Sequence, residues 1–535
     1  MNHLHQAGHD PPPAAARPRW LGALRTLLRA LPVVMLALAG CASLPSPVER
    51  PTSHALDDVA STALARVAAA SLPDGGDARS GFRLLASSAD ALDARIGLTR
   101  RAEKSLDVQY YLIASDATGL EFLGELRDAA ARGVRVRLMI DDLYAGGQDA
   151  LLAGLEALPN VEVRLFNPLP SRRGGVASRV LLSLHEFSRI NRRMHNKLLI
   201  ADNSFAVTGG RNVANEYFGR GAPANFIDMD VLASGPVVGE LSAVFDRYWN
   251  SEQAYPARSV VSGRTAPALR DSLARALAGH GDDRHAAGAV SAELDAGRID
   301  QHLGRARVLA DLPGKVAVAT QAAPQESAVS SATLDLIGSA REDVLIATPY
   351  FIPGARGVDV MRQAVASGVR LSVVTNSLAT TDEPLVHLGY ARHRSRLLAM
   401  GVGLYELMPT DQNRRNETTL DFHGSLGRLH AKVAVVDHRH LFIGSMNMDR
   451  RSARWNTEIG LVIDSAPLAA EVTSLLQHER LPSSWRLRLA QDDRRIEWVA
   501  GDAARGAVHA SEPAGGARHS LWLRLAARLV SEDLL

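Results

Sequence analysis

The chain has 535 residues, of which 46% are hydrophobic, and its 60 basic and 58 acidic side chains leave a net charge of +2. That length accommodates two or three domains and that apolar content supplies packed cores, which excludes a disordered protein. A charge so nearly balanced gives no global field for a polyanion, so nucleic acid is not an expected partner and any basic patch must be local.

The N-terminus reads as a processed segment. Arg17, Arg19, Arg25 and Arg29 precede an apolar run from Ala30 to Gly40, shorter than the roughly 20 residues a membrane-spanning helix needs, and the run ends Leu38-Ala39-Gly40-Cys41 at the chain's single cysteine. Residues 1–40 are read as a secretory signal and 41–58 as a tether, rich in Pro and Ser as far as Thr52. Leu38-Ala39-Gly40-Cys41 resembles a bacterial lipobox, which implies cleavage before Cys41 and acylation of its thiol. The expected location is the bacterial envelope, on the outer membrane facing the periplasm, since Ala42 and not aspartate follows the cysteine. With no second cysteine, an oxidising compartment imposes no intramolecular disulfide.

Residues 59–258 are read as a first α/β lobe. Ser105 to Ile113 predicts a strand, and Leu120 to Ala131 a helix stopped at Gly133. Val134 to Ile140 follows as a strand, Leu151 to Leu158 as a helix and Val161 to Phe166 as a strand. Such alternation argues for a sheet with helices on its faces. Residues 259–323 are dominated by Ala, Asp, Arg and Gly. They are read as a helical inter-lobe insertion without counterpart in the repeat, helical around Asp271–Leu277 and Ala292–Leu309. Residues 324–490 repeat the first order: a strand at Asp343–Ala347, a helix at Val358–Ala366, its stop at Gly368 and a strand at Val369–Thr375. One offset, 235 residues, separates Gly133 from Gly368 and His195 from His430. In the tail, 491–535, Leu521, Trp522, Leu525 and Leu529 share one helical face and Arg524 and Arg528 another, as on a helix that lies on a bilayer or docks on a lobe.

Two stretches carry the chemistry. His195-Asn196-Lys197 is followed by Asp202, and His430-Ala431-Lys432 by Asp437 at the same spacing; each leads through a β-prone run to a small-residue corner, Gly209-Gly210-Arg211-Asn212 or Gly444-Ser445-Met446-Asn447. Each reads as strand, turn and strand, with the histidine and lysine, two residues apart, on one strand face. Two such pairs facing each other supply a nucleophile, an acid and two cations around one phosphoryl group. Asp202 and Asp437 are expected to tie the turns. No cluster has convincing metal-ligand spacing, and His438 and His440 fall in a turn.

These residues resemble the phospholipase D superfamily, whose double His-x-Lys-x4-Asp signature with trailing Gly-Ser-x-Asn the second copy matches throughout. The first departs at Gly210, where serine is usual and a hydroxyl for a phosphate oxygen or the lysine would stand. Leu106–Tyr111, Arg192–Lys197, Gly209–Asn212 and Phe245–Glu252 are similar to the C-type bacterial cardiolipin synthases, a resemblance running from about Ala91 to the C-terminus. The resemblance implies two pseudo-twofold-related lobes, each a mixed sheet flanked by helices, with the active site at their interface. It implies chemistry through a phosphohistidine, without cofactor or metal. Lys197, Lys432, Asn212, Asn447 and Ser445 would bind the phosphate, and a downstream carboxylate would orient each histidine: Glu458 in the second half, Asp228 or else Asp230 in the first. His195 is the implied nucleophile and His430 the acid, with the reverse left open. Arg192, Arg193 and Arg211 could hold a second phosphate, and Tyr110 and Tyr350 could line the mouth. The implied reaction is phosphatidyl transfer from phosphatidylethanolamine to phosphatidylglycerol; hydrolysis to phosphatidic acid shares the intermediate. An exported nuclease would need a basic groove that the chain does not display, and a non-catalytic envelope lipid-binding protein is at odds with two intact His-Lys pairs.

Overall fold

Apolar strands and helices that recur at one offset demand two similar α/β units, and a computed structural model shows how they join. It describes residues 44–513, apart from 74–77, 172–174, 184–185, 223, 262–264, 279–284, 318–326, 410–425, 491–494 and 501–506. The signal segment, Cys41 and the amphipathic stretch of the tail lie outside the described residues. Among the described residues no helix is long and apolar enough to cross a membrane.

The first lobe begins with β1 (Ser80–Leu85) and continues through β2 (Ser105–Tyr110), β3 (Arg135–Asp141) and β4 (Val161–Phe166). The last three run parallel because the helices Ala117–Ala131 and Asp149–Glu156 return the chain between them. Gly133 ends the first of these helices at φ +97°, a left-handed position glycine takes without a Cβ clash, and Gly368 does the same in the second lobe at +91°. β5 (Lys197–Ala201) then lies antiparallel to β2 and forms a hairpin with β6 (Phe205–Gly209). The tip passes through Asp202 and Asn203 at φ +47° and +44°, which these short polar side chains tolerate. After β7 (Ala224–Ile227), β8 (Asp230–Ser234) pairs with β6 and β1, and β9 (Ala254–Pro256) closes the far edge on β4.

The stretch read as an inter-lobe helical insertion contains helices at Ala266–Ala278 and Ala289–Asp295, but from His302 it is a strand, β10 (His302–Ala310). Its Ala, Arg and Leu are good helix formers, yet they alternate: Arg305 and Arg307 are exposed while Ala306 and Val308 face the core, the two-residue period of a strand. Two open sheet edges supply the backbone partners that decide the matter. One end of β10 pairs with β1, Phe82 opposite His302, and the rest pairs with β17 (Ile459–Asp464), so a single sheet runs through both lobes. β10 stands to β17 as β1 stands to β8. The second lobe therefore starts at β10 rather than at residue 324, and this segment does have a counterpart in the repeat.

The remaining strands of the second lobe are β11 (Asp343–Ala347), β12 (Arg370–Asn376), β13 (Gly403–Leu407), β14 (Leu426–Leu429), β15 (Val433–Val436) and β16 (His440–Gly444). They continue the sheet in the order β10-β17-β16-β15-β11-β12-β13. β18 (Ser484–Leu489), β19 (Ile496–Ala500) and β20 (Val508–His509) extend the far edge. A separate parallel pair, β7 with β14, crosses from one lobe to the other. In each lobe an apolar core covers the outer face of the sheet, and a third, shared core takes Leu198 and Ile200 from β5 and Val433 and Val435 from β15.

The tether also needs correction. Arg50 to Ala55 is strapped along the first lobe, where Arg50 Nε donates to Ala254 O at 3.0 Å, Ser53 N to Asn250 Oδ1 at 3.1 Å and Ala55 N to Asp246 Oδ2 at 2.9 Å.

Candidate active site

Each histidine-lysine pair stands at the head of a hairpin, His195 and Lys197 at β5 and His430 and Lys432 just before β15, and the shared sheet brings both heads to one cavity of about 620 Å³. The hairpin aspartates are elsewhere. Asp202 accepts from the backbone N–H groups of Glu103, Lys104 and Ser105 at 2.9, 2.7 and 2.9 Å, and Asp437 from those of Arg341, Glu342 and Asp343 at 3.0, 2.8 and 3.1 Å. Each fastens a hairpin tip to the entry of the central strand, β2 or β11, and neither reaches the cavity.

The orienting carboxylates sit across the lobe boundary. Nδ1 of His195 lies 3.0 Å from Glu458 Oε2 of the second lobe, and its backbone N–H donates to Thr457 O at 2.9 Å. Nδ1 of His430 lies 2.6 Å from Asp228 Oδ2 of the first lobe, and its backbone N–H donates to Ile227 O at 2.8 Å. Each histidine is thus gripped twice by two consecutive residues of the opposite lobe, where the sequence could assign the carboxylates only half by half. With Nδ1 donating to a carboxylate, Nε2 is left for chemistry in the cavity. Sheet register decides between Asp228 and Asp230: β6 ends with Gly209 opposite Asp230, β16 with Gly444 opposite Gly460, and the carboxylate comes two residues earlier in both. Asp230 is engaged instead by Arg95 at 2.9 Å and Arg211 at 3.2 Å.

Ser445 does not face the cavity as expected. Its Oγ donates to Glu458 Oε2 at 2.5 Å and accepts from Ile459 N at 3.0 Å, so it holds the carboxylate that holds His195. The missing serine of the first copy follows from the same geometry. A Cβ on Gly210 would lie 2.1 Å from Asp228 Oδ1 and 2.7 Å from its Cγ, because the shorter Asp228 carboxylate fills the place of a side chain there.

Other expectations are also displaced. Arg211 is consumed inside the first lobe, donating to the carbonyls of Leu85, Ala86, Tyr217 and Asp228 as well as to Asp230, and is not among the residues that line the cavity. Arg193 does line the cavity but is paired there with Asp141 at 3.1 Å, and Arg192, which does not line it, donates to the carbonyls of Lys315 and Ala317. Tyr110 is buried beneath Arg95, which donates to its hydroxyl at 3.0 Å; its neighbour Tyr111 lines the cavity, edge-on to His195 at 5.1 Å. Tyr350 lines it as expected and donates to Asp382 at 2.7 Å. Tyr217 and Phe226, which no spacing singled out, flank His430 at 5.2 and 4.8 Å. Asp311, at the end of β10, is a further unforeseen support: it accepts from Glu458 N at 3.2 Å and Lys315 Nζ at 2.8 Å.

Electrostatically the site is a set of buried lysines and imidazoles. Burial pushes His195 down to about 4, against the opposing pull of Glu458, and lowers His430 likewise, so both rings are neutral near pH 7. Burial also lowers Lys432 to about 8, and burial together with the charge of Lys432 takes Lys197 well below its ordinary value. Both lysines turn back on their own motifs: Lys197 Nζ donates to His195 O at 2.7 Å, and Lys432 Nζ to His430 O at 2.5 Å, 2.9 Å from that ring's Nε2. Asn212 and Asn447 line the cavity, and among the described residues the buried Oδ1 of each finds no hydrogen-bond partner. One group has metal-ligand spacing among the described residues, His387, Glu406 and Glu512. Arg394 occupies it, ion-paired with Glu406 and Glu512 at 2.7 and 2.8 Å, which makes it an ion-pair clasp for the C-terminal segment.

Two pseudo-equivalent lobes, each bringing to one cavity a histidine with a buried lysine beside it, define an enzyme of the phospholipase D type. The chain belongs to that family in its cardiolipin synthase branch: the family model described as "Cardiolipin synthase, PLD-like domain" matches residues 96–249 and 333–480, and the reaction class is phospholipid transfer. Cardiolipin synthase C of Escherichia coli strain K12 is 38% identical over 460 residues, covering 84% of this chain and 93% of its own. A cardiolipin synthase of Staphylococcus aureus strain Mu50 is 25% identical over 424 residues, with 78% and 70% covered. The crystal structure of phosphatidylserine synthase from Haemophilus influenzae shares the fold, with a TM-score of 0.54 at 15% identity, over 85% of this chain and 95% of that one.

Proposed function

We propose that the chain moves a phosphatidyl group from phosphatidylethanolamine to phosphatidylglycerol, yielding cardiolipin and ethanolamine. The observation that carries this reading is the pair of histidines that line one cavity, each with Nδ1 committed to a carboxylate of the opposite lobe and each with a buried lysine two residues further on. Nε2 of neutral His195 attacks phosphorus; the P–O bond to the departing alcohol breaks, and that oxygen takes a proton from Nε2 of His430. The acceptor hydroxyl then returns a proton to His430 and attacks phosphorus, which breaks the P–N bond and restores both rings. His430 must be charged for the first step, and the entering phosphodiester anion raises its proton affinity together with that of the lysines. Lys197 and Lys432, drawn off their backbone carbonyls, meet the non-bridging oxygens, and Asn212 and Asn447 present neutral amides beside them.

The deciding experiment is mass spectrometry of lipid products from wild type, His195→Ala and His430→Ala given both phospholipids in mixed micelles. Cardiolipin from wild type alone supports the reading, whereas phosphatidic acid as the main product would make the enzyme a hydrolase. Location is a second proposal: a lipoprotein of the bacterial envelope, acylated at Cys41 and held on the outer membrane facing the periplasm. The lipobox-like end of the signal supports it, and loss of fatty-acid labelling in Cys41→Ser tests it.

A further inference from the structure

The helix Val176–Leu182, Val-Ala-Ser-Arg-Val-Leu-Leu, is built inside out. Its charged residue, Arg179, is 1% exposed and bonds Asp142 Oδ2 at 2.5 Å and Ser171 O at 3.2 Å, while Leu181 is 50% exposed and Val176, Val180 and Leu182 are only partly covered. A short helix in water normally shows the reverse. The anchor reaches into the site's own scaffold: Asp142 continues β3 from Asp141, which accepts from Arg193 and from Met194 N just before His195. The apolar side of this helix is therefore held in a fixed place relative to the nucleophile.

That place is the rim of the catalytic cavity. Val180 and Tyr144 both line it, and Tyr144 is 42% exposed. From Tyr144 the rings step inward, edge-on to Tyr111 at 5.3 Å and from Tyr111 to His195 at 5.1 Å, so an aromatic wall leads from the surface to the reacting nitrogen. Leu181 and Tyr144 are two of the four large hydrophobic side chains exposed among the described residues; Leu312 and Val508 are the others, and neither lines the cavity. A cavity of about 620 Å³ is of the size that encloses a small drug-like molecule. It accommodates a phosphate, its head group and glycerol, not the acyl chains of two phospholipids, which must stay in the bilayer during transfer.

We propose that the helix Val176–Leu182 and Tyr144 form the surface that docks the cavity mouth onto a phospholipid bilayer. Leu181 and its neighbours enter the head-group boundary, and the lipid phosphate slides along Tyr144 and Tyr111 to His195 without leaving the membrane. The occupant is a lipid surface because the apolar rim is continuous with a site whose substrate chains have nowhere else to go. This inference rests on the phospholipid reading.

The test compares turnover of phospholipid in vesicles of phosphatidylethanolamine and phosphatidylglycerol with turnover of a short-chain phospholipid dissolved as monomers, using the full-length chain. Leu181→Asp is expected to lower vesicle turnover about tenfold or more, the effect of trading an interfacial leucine for a charge, while monomer turnover stays within about twofold, which also reports intact folding. Leu181→Phe keeps vesicle turnover, and Val508→Asp, at an exposed position on the edge strand β20 that does not line the cavity, leaves both unchanged. Equal loss on both substrates, or vesicle turnover unchanged in Leu181→Asp, overturns the docking surface. If wild type turns over neither phospholipid, the phospholipid reading itself fails and takes this inference with it.

Discussion

Gly210 offers the sharpest test of how the two lobes depend on each other. Alanine there would set a Cβ at 2.1 Å from Asp228 Oδ1 and 2.7 Å from both Cγ and Oδ2, distances no packed carbon maintains. The carboxylate must move by an ångström or more, which breaks its 2.6 Å contact with His430 Nδ1 and its 2.8 Å bond from Met229 N. Overpacking of this kind costs about 1–3 kcal/mol of stability. The catalytic cost is larger. Loss of a carboxylate behind a working imidazole lowers turnover by about 10²- to 10⁴-fold, so Gly210→Ala is expected to resemble Asp228→Asn in turnover with KM little changed. The second lobe shows how serine can be accommodated, since Ser445 coexists there with the longer Glu458. Gly210→Ser alone should therefore be as impaired as Gly210→Ala, and Gly210→Ser with Asp228→Glu should recover at least about tenfold of the loss, the scale of one supporting contact. Lipid turnover at saturating substrate, with melting temperature as the folding control, measures each. Gly210→Ala retaining turnover within about threefold of wild type, a loss far below that of a missing orienting group, would refute the argument.

Other consequences are equally direct. Ser445→Ala removes one of the bonds on Glu458 but leaves that from Ser452 Oγ at 2.8 Å, so turnover should fall about three- to tenfold at constant KM; a raised KM would instead place the hydroxyl on substrate. Asp202→Ala strips the acceptor from three backbone N–H groups and should cost about 2–3 kcal/mol in denaturant unfolding, with turnover per folded molecule unchanged below the transition. Arg211→Met should likewise lower the melting temperature and leave KM for the acceptor lipid unaltered. In the free enzyme Lys432 gives up its proton at about 8, so kcat/KM should decline as pH rises through that value. The bound phosphodiester raises the lysine's pKa, and kcat should therefore hold to higher pH; identical alkaline limbs for both parameters would contradict the electrostatic reading.

The hairpins, the helix stops and the two-lobe repeat were legible because each is encoded locally, in strand-prone runs, Asp-Asn turns and glycines at left-handed positions. Tertiary pairing was not. The partner of His195 lies 263 residues away, and no spacing announces that a carboxylate will serve the opposite lobe. Tyr110, expected at the mouth, misses it by one residue: the pleat sends it beneath the sheet and its neighbour Tyr111 into the cavity. Arg211 looked like a phosphate ligand because it adjoins the motif, yet a buried guanidinium needs several acceptors and found them in nearby carbonyls. β10 was misread because its residues favour a helix; open edges on both neighbouring sheets overrode that preference.

The exchange of carboxylates between lobes means that neither half of the chain is a functional unit. A half produced alone keeps its histidine and lysine but lacks the group that aims the ring, and so does its complement. Defects assigned by position will therefore mislead: damage at Glu458 frees the first-lobe histidine from its partner, and damage at Asp228 the second-lobe one. Sequence change in one half is constrained by the other, and the unit that can be inherited, swapped or evolved without loss is the mated pair.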